Sequence, residues 1–222
     1  MNRLRIATIA ALVLAFAVAG AQAQERALLS AVTGKVEIQN PGEQAWRPAS
    51  PGMEVPIRAT ISTGFSGHAV LRLGASTLTV APLTRLRIDE LSMRNKVVST
   101  RLSMPVGRIR VEVKSIGGTS NDFSVRGPVS TAAVRGTGFE TDGVLISVFE
   151  HVVAFYSESG IGRNVGAGES ALSIGGGSPS GGAELREADT TVNPYTSLAG
   201  AGGLTGGLPG LGFGSITVNY AP

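Results

Sequence analysis

The sequence predicts an all-β protein, a sandwich or solenoid-like roll of many short strands that ends in a flexible Gly-rich C-terminal tail. Three observations predict it. From Leu28 to Ile174 the apolar residues alternate with polar ones instead of recurring at helical spacing. Gly, Pro, Ser, Thr and Asn interrupt the alternation at short intervals, which is the punctuation of turns. Beyond the N-terminus no segment has the periodicity of an amphipathic helix.

The N-terminal segment reads as an export signal. Met1-Asn2-Arg3-Leu4-Arg5 is short and basic, residues 6–19 are almost wholly apolar, and Ala21-Gln22-Ala23 has the small-x-small form of a cleavage site. The run is shorter than the roughly 20 apolar residues that span a bilayer core. Cleavage after Ala23 is therefore expected to remove residues 1–23 and leave no transmembrane segment. The periplasm is the expected destination, with the cell surface or the medium as alternatives. The chain has no cysteine, so neither a disulfide nor a lipid-acceptor thiol is available to it.

Residues 27–175 carry the strand pattern and form the predicted domain. Its clearest strand is 108–114, where Ile109, Val111 and Val113 alternate with Arg108, Arg110, Glu112 and Lys114, so that one face is buried and the other wet. Residues 144–149 and 152–156 are apolar on both faces for much of their length and are expected at the centre of the structure. Further strands are predicted at 34–39, 68–73, 76–80, 85–88, 97–103, 122–126, 138–141 and 170–174. Prolines such as Pro48, Pro56 and Pro128 fall between or at the start of these runs, where a missing N–H costs no ladder bond. Composition changes near Gly175, and 176–222 reads as a Gly-rich tail with one strand-like stretch at 215–220.

Charge and residue inventory exclude several functions. The formal charge is +3, and loss of Arg3 and Arg5 leaves 17 cations against 16 acids. A near-neutral exported chain lacks the electrostatic attraction that nucleic acid binding needs. His68 and His151 are the only imidazoles, and both read as turn residues. No serine lies in a nucleophile elbow: Gly166-Ala167-Gly168-Glu169-Ser170 has its glycines on the wrong side. Two distant histidines do not make a zinc site, and Asp89-Glu90 or Glu140 with Asp142 lacks the repeated oxygens of a calcium loop. No catalytic residue, metal or cofactor is predicted.

One surface feature suggests binding. Arg85 and Arg87 share a strand face, as do Arg108, Arg110 and Lys114, with Arg94, Lys96 and Arg101 between them in sequence. If neighbouring strands pair in order, these cations would form a strip over one sheet face, suited to an envelope protein with an acidic surface or to an anionic glycan such as lipopolysaccharide.

Val134-Arg135-Gly136-Thr137-Gly138-Phe139-Glu140-Thr141 resembles the Arg-Gly-Thr-x-Phe signature of the FecR domain family, the ferric-citrate-regulator type of periplasmic module. Residues 61–71 resemble that family's glycine turn, 81–86 its proline-marked strand and 106–111 its glycine-led charged strand, in the family's order. The resemblance runs from about Val32 to Ile174. Thr137 and Phe139 fall on one face of an extended chain, Phe139 reads as a core anchor, Gly136 as a position needing glycine's freedom and Arg135 as a brace for carbonyls or a carboxylate, so the cluster is mainly structural. Members that transmit iron-uptake signals carry a cytoplasmic segment and a transmembrane helix before this domain, whereas here only the signal-like run precedes it. The expectation is a non-enzymatic exported envelope protein, a protein-binding or signalling-accessory module in the periplasm. The alternative is a structural or glycan-associated cell-surface protein.

Overall fold

The computed structural model describes residues 26–181. The signal-like run, its cleavage site and most of the Gly-rich tail lie outside them. All regular structure among the described residues is β.

The chain deals its strands alternately to two sheets. β1 (Ala27–Thr33) opens the first sheet, and β2 (Val36–Gln39) and β3 (Trp46–Pro48) the second. β4 (Glu54–Val55) returns to the first, β5 (Thr60–Thr63) to the second, and β6 (His68–Leu73) and β7 (Ser76–Val80) to the first. The second sheet then takes β8 (Arg85–Arg94) and β9 (Val97–Val106), the first β10 (Ile109–Glu112), and the second β11 (Ser120–Arg126) and β12 (Ser130–Val134). β13 (Gly138–Thr141) and β14 (Leu145–Val148) go to the first, β15 (Val152–Ser157) and β16 (Gly162–Gly166) to the second, and β17 (Ser170–Leu172) and β18 (Ser180–Gly181) to the first. Among the described residues each sheet has nine strands, ordered β18-β17-β14-β13-β10-β7-β6-β1-β4 and β16-β15-β12-β11-β9-β8-β5-β2-β3. Both ladders thus advance with the sequence, which joins the two predicted architectures: a sandwich in section and a solenoid in progression.

The chain reverses direction at every connection. One strand in the first sheet separates β9 from β11, so those two run parallel, and every other paired couple is antiparallel. Two ends follow from the same rule. Connections leaving odd-numbered strands lie at one end of the sandwich, and those leaving even-numbered strands at the other.

Alternation fixes which side chains meet. Leu86 and Ile88 of β8, Val111 of β10, Phe123 of β11, Phe139 of β13 and Phe155 of β15 are all at most 1% exposed and belong to one core cluster drawn from both sheets. The strand at 108–114 behaves as predicted: Ile109, Val111 and Val113 are buried, and Arg108, Arg110, Glu112 and Lys114 are exposed. The β8–β9 hairpin joins two ten-residue strands through Asn95 and Lys96, whose φ values of 50° and 64° give the two-residue turn that matches strand twist.

Two expectations change. Residues 144–149 and 152–156 do not form a central pair: β14 and β15 lie in different sheets near the β16/β18 edge, and Leu145, Phe149, Val152 and Tyr156 point outward. Their two-sided apolarity marks surface, not depth. The β ladder also continues past Gly175, because β18 pairs with β17 through Leu172 and Ser180.

Candidate functional site

The signature is a corner between the sheets, at the end formed by connections leaving even-numbered strands. Arg135 and Gly136 link β12 to β13 and are exposed, while Thr137, Gly138 and Phe139 turn into the first sheet and are buried. Phe139 stands opposite Val111 on one side and Val148 on the other. The Thr137 hydroxyl donates to the Glu150 carbonyl, and the Thr137 carbonyl accepts the Val113 N–H at 2.9 Å. Gly138 offers its carbonyl to the N–H groups of Phe149 (2.8 Å) and Glu150 (3.3 Å). The turn after β14, where His151 takes a φ of 52°, is thereby fastened to the corner.

The polar members of the signature differ from expectation. Gly136 is not left-handed, and a Cβ built on it would meet only the Val113 carbonyl oxygen, at 4.0 Å. The Arg135 guanidinium makes no hydrogen bond or ion pair among the described residues; only its carbonyl is used, accepting from Asn121 Nδ2 at 3.4 Å. Three signature residues therefore have plainly different environments: Phe139 is core, Thr137 is a clasp and Arg135 is free for an external contact.

The cations do not form one strip. Arg85 and Arg87 lie on β8 in the second sheet, whereas Arg108, Arg110 and Lys114 lie on or beside β10 in the first, so the two groups face away from each other across the core. Strands close in sequence were expected to be neighbours, but this chain changes sheet between β9 and β10. Each cation also has a local partner. Arg85 lies over the Trp46 ring (5.7 Å to its centroid) and Arg110 over Phe149 (4.3 Å). Arg87 pairs with Asp89, Arg108 with Glu140 at 3.5 Å, and Lys114 with Glu112 at 3.6 Å. Arg101 of β9 bridges Glu90 and Asp122. Arg94 and Lys96 sit exposed at the β8–β9 turn.

The opposite end carries a feature that sequence reasoning missed. Phe65 is 89% exposed, Leu83 51% and Val106 55%; Phe65 and Leu83 lie in the connections leaving β5 and β7, and Val106 ends β9 at the same end of the sandwich. The Leu83 N–H donates to the Gly64 carbonyl at 3.2 Å, and Leu83 and Val106 line one shallow depression of about 440 Å³. A hydroxyl spine holds these turns. Thr63 Oγ1 donates to the Ala81 carbonyl (2.7 Å) and accepts the Thr84 N–H (2.9 Å), and Thr84 Oγ1 accepts the Arg108 N–H (3.0 Å). Gly107, at φ 106°, packs so tightly on Thr84 that a Cβ would come within 2.2 Å of its hydroxyl oxygen, so only glycine fits. The apolar ridge is therefore presented on rigid turns. In the sequence Phe65 stands between Gly64 and Ser66, a turn context that is itself the missed signal.

Among the described residues no group of three or more His, Asp or Glu side chains is placed to hold a metal ion, and no helix is long and apolar enough to cross a membrane.

Residues 59–154 match the model of the family described as FecR protein. No curated protein matches the chain. In shape it is similar to two crystal structures of a “putative anti-sigma factor” from Parabacteroides distasonis ATCC 8503, solved at 1.65 and 2.50 Å, with 16% sequence identity and TM-scores of 0.44 and 0.43. Each match covers 55% of this chain and 58% of that one, so the likeness spans just over half of that protein. The family-matched stretch holds β5 to β14 and the start of β15. Both sheets are extended beyond it, by β1 to β4 on one side and by β16 to β18 on the other.

Proposed function

We propose that this chain is a signalling-accessory module of the bacterial envelope that binds another protein in the periplasm and has no catalytic role of its own. The observation that carries this reading is the FecR match over residues 59–154, a family whose role is regulatory. The ridge of Phe65, Leu83 and Val106 supports it and supplies the contact surface. Large apolar side chains held outward on rigid turns cost solubility unless something covers them. The sequence of residues 1–23 supports export, and near-neutral charge suits a protein contact better than a polyanion.

The test is site-specific photo-crosslinking in cells, with a benzophenone amino acid in place of Phe65. A covalent adduct with one envelope protein, lost when Leu83→Ser is added, is the expected result. Crosslinks that form equally well from Arg94 at the opposite end, or a protein that only sediments with peptidoglycan or lipopolysaccharide, would overturn the reading in favour of a glycan-associated role.

A further inference from the structure

A groove on the outer face of the second sheet has the makings of a sugar site, independent of the ridge. Its volume is about 530 Å³, within the range of about 300–1,000 Å³ typical of small-molecule sites. Arg126, Thr131 and Tyr156 cross it in a row, because Arg126 stands opposite Thr131 on β12 and Thr131 opposite Tyr156 on β15. The β11–β12 loop walls one side and the β15–β16 turn, carrying Glu158, the other.

Both walls are fixed. Gly127 and Gly143 pack backbone to backbone, since a Cβ on Gly127 would lie 2.3 Å from the Gly143 Cα, and Ser130 Oγ donates to the Gly143 carbonyl at 2.8 Å. Across the groove the Ser157 N–H donates to the Ile161 carbonyl at 2.9 Å and the Gly160 N–H to the Ser157 carbonyl at 3.0 Å. The Tyr156 ring lies directly over Gly162, whose absent Cβ would meet ring carbons at 2.4 and 2.5 Å. The aromatic platform is thus set by a glycine beneath it.

The functional groups around the groove are unspent. Arg126, Thr131, Glu158 and the Tyr156 hydroxyl make no side-chain hydrogen bond or ion pair among the described residues, and Arg126 and Glu158 do not pair although both line the same space. A guanidinium offers only donors and a carboxylate only acceptors. A ligand that uses both, and also lays an apolar face on an aromatic ring, is a pyranose: its hydroxyls donate and accept at its rim while its C–H groups stack. Opposite charges on the two rims favour a neutral sugar over an acidic one, which Glu158 would repel.

We propose that Arg126, Thr131, Tyr156 and Glu158 form a binding site for a neutral hexose unit of an oligosaccharide. The site needs no conformational change, because both walls and the platform are already held in place. Glucose- and N-acetylglucosamine-based trisaccharides are the probes, titrated separately into the purified, isotopically labelled protein and followed through backbone amide shifts.

At least one trisaccharide should give saturable shifts confined to residues 126–131 and 156–162. Tyr156→Ala should weaken binding by at least about tenfold, the size expected from losing a stacked ring. Tyr156→Phe should keep most of the affinity. Gly162→Ala, whose methyl displaces the ring without deleting it, should weaken binding while circular dichroism stays unchanged. Crosslinking from position 65 should persist in Tyr156→Ala, which separates this site from the ridge. Absence of saturable shifts with every probe, equal binding by Tyr156→Ala, or shifts in this groove with triglycine and no sugar would each overturn the proposal.

Discussion

Thr63-Gly64-Phe65 and Thr137-Gly138-Phe139 are the same tripeptide at opposite ends of the sandwich, with opposite fates for the phenylalanine. In both, the threonine is buried and its hydroxyl donates to a carbonyl of another connection, that of Ala81 or of Glu150. The difference is phase. Thr63 ends β5, so Gly64 and Phe65 run into a turn and the ring points to solvent at 89% exposure. Thr137 precedes β13, so Gly138 opens the strand and Phe139 takes an inward position at 0%. Burial is decided by whether the chain leaves or enters a ladder after the threonine, and the tripeptide itself carries no such instruction.

The sharpest test of that comparison is truncation of each ring. Phe139→Ala should cost about 3–5 kcal/mol, because it empties a filled core position. Phe65→Ala should stay within about 0.5 kcal/mol, as surface changes do. Chemical denaturation of both variants decides the matter: a cost above about 1.5 kcal/mol at Phe65 would mean that the ridge is part of the core.

The threonines should behave alike where the phenylalanines do not. Thr63→Val and Thr137→Val each leave a buried or part-buried backbone group without its hydroxyl partner, and each should cost about 1–3 kcal/mol. Unequal costs would show that only one corner depends on its hydroxyl. Among the glycines the ends differ again. Gly107→Ala meets both a positive φ and Thr84, and should cost about 1–3 kcal/mol. Gly136→Ala has room and an ordinary backbone, and its melting temperature should match the parent's.

Small effects are also expected from the cations. Arg108→Ala and Arg110→Ala remove an exposed ion pair and an exposed ring contact, each worth no more than about 1 kcal/mol. A larger loss in thermal melts would give the charged face of β10 a structural role that its exposure does not suggest.

Much of the fold was legible because alternation is a local property. Ile109, Val111 and Val113 against Arg108, Arg110 and Lys114 state their faces outright, and Phe139 reads as core from its strand phase. Sheet membership is not local. Nothing in 85–88 or 108–114 says that the chain changes sheet between them, so the predicted strip divides between opposite faces. Short strands also escaped notice. β5 reads as the start of a turn, and β16, Gly162-Arg163-Asn164-Val165-Gly166, has one inward apolar side chain and so no visible period. The ridge and the groove stayed hidden for the same reason: both depend on which turns share an end.

The regular dealing of strands to two sheets has a consequence for how the chain acquires its structure. Each new strand docks on one placed shortly before it, so order can spread along a single axis from a local seed, as in repeat arrays. The β8–β9 hairpin is the natural seed, with ten residues on each arm and a two-residue turn. From there the ladder grows both ways, and amide exchange should be slowest in β8 and β9 and faster toward β3 and β4 at one margin and β16 and β18 at the other. An extra pair of strands inserted at a margin would lengthen such a protein without rewriting its middle.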